Sequence, residues 1–223
     1  MIREKEMIYK YFPVSEYSLQ VLSDNKLWAS HPSKFNDPFD SVFSVAGPAY
    51  NLIKDYVNKK AICCFSRNVE SILMWSHYAD NHRGFCIGFD ANKFLWDVLL
   101  EDVRYTEKFP SFDTNDFLNP TMIEGKARQR ELVSLFTTKY KDWIYEKEVR
   151  VILELDPDNK RPAETWEGRS FPISPDAVKH IYFGCKMPMC DKEKIREIIA
   201  ARQVKFFDMN SSGNDFKLVC NAH

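Results

Sequence analysis

Between Trp143 and Leu155 the chain sets Val149, Val151, Leu153 and Leu155 two residues apart, with Glu148, Arg150 and Glu154 interleaved. Apolar residues at period two predict a β-strand with one buried face. Side chains two apart on a strand point the same way, so Glu146, Glu148 and Arg150 are expected to project together. Two carboxylates and a guanidinium entering a sheet side by side are costly to desolvate. The chemistry of the chain is to be sought there.

The rest of the sequence is that of an ordinary globular protein. Its 223 residues are 44% apolar and 28% charged, enough for a substantial core. A formal charge of −1 gives no overall attraction for nucleic acid or an anionic membrane, although a local basic patch could still bind either. Met1–Lys10 holds Arg3, Glu4, Lys5 and Glu6 and no apolar run, and no later segment approaches the ~18 apolar residues of a membrane span. A cytoplasmic location is the expectation. Six cysteines (Cys63, Cys64, Cys86, Cys185, Cys190, Cys220) suit buried, reduced thiols.

Strands are expected at Ile8–Phe12, Lys26–Ser30, Ala61–Ser66, Phe85–Phe89, Asp102–Thr106, Val178–Phe183, Val204–Met209 and Phe216–Cys220. Phe85–Phe89 is apolar nearly throughout and should be central. Helices are expected after Ser15 or Ser18 to Leu22, over Leu52–Asn58, over Ser71–Arg83 with Gly84 as a left-handed exit, and from Asn119–Pro120 to Tyr140. That last helix would bury Leu132, Leu135, Phe136 and Tyr140. A final helix capped by Asp191 would bury Ile195, Ile198 and Ile199. Strands outnumber helices without regular alternation, which predicts one α+β domain over residues 1–223, a mixed and largely antiparallel split sheet with flanking helices. Residues 170–223 would complete that sheet.

Glycine-rich nucleotide motifs and the nucleophile elbow are absent from the sequence, and its histidines and cysteines lack the spacing of a metal grip. No metal is expected. Three groups of residues remain as candidates. The Glu146/Glu148/Arg150 face is either a cross-strand charge ladder or a pair of catalytic carboxylates about 7 Å apart, a span that suits a ribose. On the next segment, Trp75, Tyr78 and His82 form an aromatic stripe that is either core or ligand-facing, beside His77 and Arg83. In the third, Tyr9, Lys10 and Tyr11 alternate next to the Asn36–Asp37–Pro38–Phe39 turn, so either the tyrosines or the lysine face a pocket. Lys126, Arg128 and Arg130 make a mild basic cluster.

Taken together, Tyr9–Lys10–Tyr11, Phe35–Asn36–Asp37–Pro38–Phe39, Cys64–Phe65–Ser66, Met74 through Gly84 and Trp143-x-Tyr145–Glu146–Lys147–Glu148-x-Arg150 resemble the bacterial domain-of-unknown-function family 2971. The resemblance runs from about residue 8 to residue 155 and implies a cytoplasmic bacterial protein. More distantly, the layout is similar to ADP-ribosyltransferases, which take NAD on a split, mixed sheet without a glycine motif. The analogous positions are Lys10 or Tyr11, then Ser66 with Tyr78, then Glu148 with Glu146. A Ser-Thr-Ser triplet is missing, and the first strand lacks the usual Arg or His.

That second resemblance implies cleavage of NAD, as substrate, with ADP-ribose passed to water or to a protein or nucleic-acid acceptor; a toxin or phage-defence effector would suit it. Glu148 would stabilise the oxocarbenium-like transition state and Glu146 would polarise the acceptor. Tyr78 would stack on nicotinamide, Lys10, Arg83 or Arg150 would hold the pyrophosphate, and Tyr9, Tyr11, Asn36, Ser66, Trp75 and His77 would complete the pocket. Two other readings fit the same residues. One is a nucleic-acid-binding or nuclease-like module using Lys126, Arg128 and Arg130 with Trp75 and Tyr78. The other is a non-catalytic interaction domain.

Overall fold

The structure is a computed structural model that describes residues 6–44, 49–94, 99–111, 125–156, 158 and 167–222. It is α+β, with a mixed and mostly antiparallel sheet, as the strand-rich pattern predicts. Its centre is β4 (Phe85–Asp90), buried along its whole length between β1 (Met7–Phe12) and β10 (Val178–Phe183), antiparallel to both. Beyond β10 lie β11 (Lys205–Ser211), which is parallel to it, and β12 (Leu218–Ala222). A second group joins β3 (Lys60–Ser66) to β8 (Glu148–Glu154), and β8 in turn to β5 (Leu99–Asp102). β2 (Lys26–Ser30) pairs with β9 (Gly168–Pro172), a strand the sequence pattern did not single out.

The two groups part at β3. One edge of β3 meets β1 at Ser66–Tyr9 and β2 at Ile62–Ser30. Cys64 falls between those contacts, and its carbonyl accepts a hydrogen bond from Lys10 Nζ at 2.9 Å. A side-chain ammonium therefore takes the place of a backbone donor where β1 and β2 diverge, as a buried carbonyl requires.

Helices cover both faces. On one, α1 (Glu16–Asp24) and the C-terminal helix α5 (Met189–Ile198) close a core that includes Ile8, Phe12, Leu22, Leu27, Phe65, Phe89 and Ile195. Ser15 and Ser18 cap α1 reciprocally, and Asn25 ends it in the left-handed region. On the other face, α3 (Ile72–Tyr78) lays Trp75 against Tyr11, Cys86 and Tyr182. α2 (Ala49–Asn58) packs Ala49, Ile53 and Val57 against Ile62, Leu135 and Phe136, with Leu132 of α4 (Gly125–Ser134) beside them.

Five expectations are corrected. First, the strand expected from Trp143 begins only at Glu148: Lys141–Glu146 is a 3-10 turn, and Lys147 sits at φ 42°, ψ 52°. That left-handed residue breaks the alternation. Second, the helix expected to reach Tyr140 stops at Ser134. The Thr137 and Thr138 hydroxyls donate to the Val133 and Ser134 carbonyls at 3.0 and 2.8 Å, and Thr138–Tyr140 continues as β7 beside β6 (Arg104–Thr106). The expected start at Asn119–Pro120 lies outside the described residues. Third, the expected strand Asp102–Thr106 divides at Val103 between β5 and β6. Fourth, α5 starts after Pro188 rather than at Asp191.

α3 also ends early, at Tyr78. Asp80, Asn81 and His82 follow with φ of 45°, 52° and 70°, a conformation open chiefly to short polar side chains. The left-handed exit thus belongs to these three and not to Gly84, whose role is close approach. A Cβ on Gly84 would overlap the Phe12 carbonyl oxygen, and one on Gly184 would overlap that of His82. We predict that Gly84→Ala lowers the melting temperature sharply, because backbone must move to admit the methyl. Gly213→Ala, with nothing within 4 Å of the added carbon, should leave it within a few degrees. Thermal unfolding followed by circular dichroism compares the two.

Candidate functional site

β8 delivers the site because its first residues are fully enclosed. Arg150 is 0% exposed, and each of its five N–H donors is engaged. Nε and Nη2 bind the two Glu148 carboxylate oxygens at 2.8 and 3.0 Å. Nη1 and Nη2 bind Asp40 Oδ1 and Oδ2 at 2.8 and 2.6 Å, and Nη1 also binds the Phe136 carbonyl at 2.7 Å. Two bidentate carboxylate pairs on one guanidinium fix its plane and both partners.

Lys139, on β7, is the second cation. Its Nζ lies 2.6 Å from Glu146 Oε2, 3.1 Å from Glu148 Oε2 and 3.7 Å from Asp40 Oδ2. Because both glutamates bind one ammonium, their nearest carboxylate oxygens lie no more than about 6 Å apart. Glu146 reaches this point from the 3-10 turn and not from the strand face. Its carbonyl is held by the Ser66 hydroxyl at 2.5 Å, and Tyr78 OH donates to its Oε1 at 2.6 Å. Asn36 Nδ2 donates in turn to Tyr78 OH at 3.4 Å. Tyr105 OH accepts the Glu148 backbone N–H at 2.7 Å.

The two glutamates are driven apart in acidity. Burial raises Glu146, and the Glu148 charge adds to that, while Lys139 pulls it down without reversing the direction. Burial also works against charge on Glu148, but Arg150 and Lys139 outweigh it and hold its carboxyl well below the usual range. Burial, with the Glu146 charge beside it, pushes the Tyr78 phenol up, so it stays a donor. Three carboxylates face two cations in this cluster, and Lys10 and Lys34 line the same cleft, so no net negative charge is left when all are ionised.

These groups open onto a cleft of about 400 Å³. Tyr9, Lys10, Tyr11, Asn36, Ser66, His77, Tyr78, Glu146 and Glu148 all line it, so the structure brings together nine of the residues singled out from sequence. Three others are placed elsewhere. Trp75 is fully buried with its indole N–H on the Val69 carbonyl at 2.7 Å, so no base or cofactor can reach the ring. Arg83 is exposed, pairs with Asp80 at 2.9 Å and does not line the cleft. Arg150 lies beneath the cleft with no donor left for a pyrophosphate. The nucleic-acid reading loses Trp75 as a stacking surface by the same observation.

Lys139 and Asp40 were missed. Lys139 lay inside an expected helix, and Asp40 read as turn chemistry; neither spacing carries a signal, because both reach the site only through tertiary pairing. Among the described residues no group of three His, Cys, Asp or Glu could hold a metal, the six cysteines are free, and no helix is long and apolar enough to cross a membrane.

Residues 74–151 match the profile of the family described as Protein of unknown function (DUF2971). The match takes in α3 from Met74 onward, Lys139 and the Glu146/Glu148/Arg150 group, whereas Lys10, Asn36, Asp40 and Ser66 lie outside it. Neither a curated protein nor a solved structure matches the chain closely enough to count as similar.

Removing one partner of a buried ion network typically costs 3–5 kcal/mol. We expect Arg150→Met to lose about that much in chemical denaturation at neutral pH. Arg150→Lys should recover little, since an ammonium cannot pair bidentately with two carboxylates. The stabilisation tied to the depressed Glu148 carboxyl is present above the unfolded glutamate value and lost as pH falls through the folded one. The gap between wild type and Arg150→Met should therefore narrow on acidification.

Proposed function

We propose that this protein breaks the nicotinamide–ribose bond of NAD and passes ADP-ribose to water or to a macromolecular acceptor. The observation that carries this reading is the pair of neighbouring cleft carboxylates with opposite shifts, Glu148 held as a permanent anion and Glu146 raised. Oppositely shifted pairs are how one site separates a fixed charge from a proton-transferring group.

In the reaction the C1′–N bond breaks and its electron pair leaves with nicotinamide, discharging the cationic ring. Positive charge then develops on the ribose. A Glu148 carboxylate placed beside the ribose favours the charge there over the charge on the nicotinamide ring where it started, and pre-aligned charge in a desolvated site is commonly worth ~3 kcal/mol per group. Glu146, once deprotonated, takes the proton of the acceptor hydroxyl as it bonds to C1′. Tyr78, itself accepting from Asn36, holds the Glu146 carboxylate for that transfer. The likeness to ADP-ribosyltransferases in residue order agrees with this reading, and a defence effector or toxin is the setting in which such NAD consumption would serve.

Incubation of the purified protein with NAD should release free nicotinamide. Glu148→Gln and Glu146→Gln should each reduce the rate by about a hundredfold, with folding verified by the melting transition. Wild-type nicotinamide release in the Glu148→Gln variant would sink the assignment.

The rate should rise with pH as Glu146 loses its proton. Tyr78 lowers the Glu146 pKa by donating to the charged form, so Tyr78→Phe should shift that acid limb to higher pH. A limb that stays put would remove Glu146 as the titrating group.

A further inference from the structure

Lys10 lines two cavities, the carboxylate-bearing cleft and a second hollow of about 660 Å³ beside α1. Its side chain is half-buried, and its ammonium donates to the Cys64 carbonyl and lies 5.5 and 5.9 Å from the Phe65 and Phe12 ring centroids. An ammonium has three N–H donors, and with the Cys64 carbonyl and the Cys63 thiol as partners one is left for a ligand in either cavity. Such a group gains most from an anionic oxygen placed between them.

The second hollow has the other half of a nucleotide site. Lys26 and Trp28 are two apart on β2 and both exposed, so they stand on one face of the strand. Trp28 is 52% exposed although its ring is backed from the neighbouring strand: a Cβ on Gly168 would lie 2.8 Å from its six-membered ring. One part of the indole is thus pressed against β9 and the rest is open. A fixed, half-open indole is a stacking platform worth about 1–3 kcal/mol per base. Ser170 is its cross-strand partner. Asp24 is the one carboxylate lining this hollow. It is exposed at its rim and accepts the Ser23 hydroxyl at 2.7 Å.

We infer that this hollow is a nucleoside-diphosphate subsite, with the base on Trp28 and the phosphates at Lys26 and Lys10. This rests on the proposed cleavage of NAD only in naming the ligand as the ADP half of that dinucleotide, and it assigns the pyrophosphate to Lys10 after Arg83 and Arg150 are excluded.

Calorimetric titration of the full-length chain with ADP tests it, because ADP has no nicotinamide bond and reports binding alone. Wild type should bind ADP, Trp28→Ala should bind it at least tenfold more weakly, and adenosine should bind wild type at least tenfold more weakly than ADP does. Lys10→Met should show the same loss as Trp28→Ala; if it fails to fold, Trp28→Ala, a surface change, decides. Absence of ADP binding, or equal binding by Trp28→Ala, overturns the subsite even if nicotinamide is released. Trp28-dependent ADP binding without nicotinamide release upholds the subsite and fails the proposed reaction instead.

Discussion

The buried guanidinium of Arg150 is the group on which the arrangement depends. It ties the start of β8 to the Asp40 turn and to the chain leaving α4, three places far apart in sequence. Taken alone, each of Asp40, Glu148 and Lys139 would be an intolerable charge in so enclosed a setting. Together with Arg150 they are tolerable, and their geometry follows from the fork of one planar cation. The carboxylates at the cleft are therefore placed by how the core is closed, and the same contacts that keep the fold intact keep Glu148 ionised.

Much of the fold was readable because periodicity reports burial directly. Lys26–Ser30 and Val178–Phe183 match the observed β2 and β10, and the unbroken apolar run at Phe85–Phe89 is indeed the enclosed centre. The failures fall where a local rule met a tertiary one. Trp143–Glu146 shares its composition with the strand that follows, and only the left-handed Lys147 separates them. Leu135 and Phe136 are buried as their spacing suggested, but in a turn and not on a helix, because two threonine hydroxyls close the helix before them.

The site was legible in part. Tyr9, Lys10, Tyr11, Ser66, Glu146 and Glu148 belong to strands or their flanks, but the strand pattern left them in separate groups, and only the resemblance to ADP-ribosyltransferases gathered them into one pocket. Lys139 and Asp40 come from a three-residue strand and a turn, whose positions are set by β6 and by Arg150 and not by their own neighbours. A residue type can suggest chemistry; the partner that holds it is invisible until the chain closes.

Strand order carries a consequence for synthesis on the ribosome. β4 lies between a partner that precedes it, β1, and one that follows much later, β10. Until Val178–Phe183 has left the exit tunnel, one entire edge of the most apolar strand has no backbone partner, and a bare edge of that kind invites pairing with other chains. The span from α3 to β8 thus has no independence as a unit of folding: its innermost strands must be completed by segments made before and after it. A nascent chain paused within that span would be a substrate for chaperones.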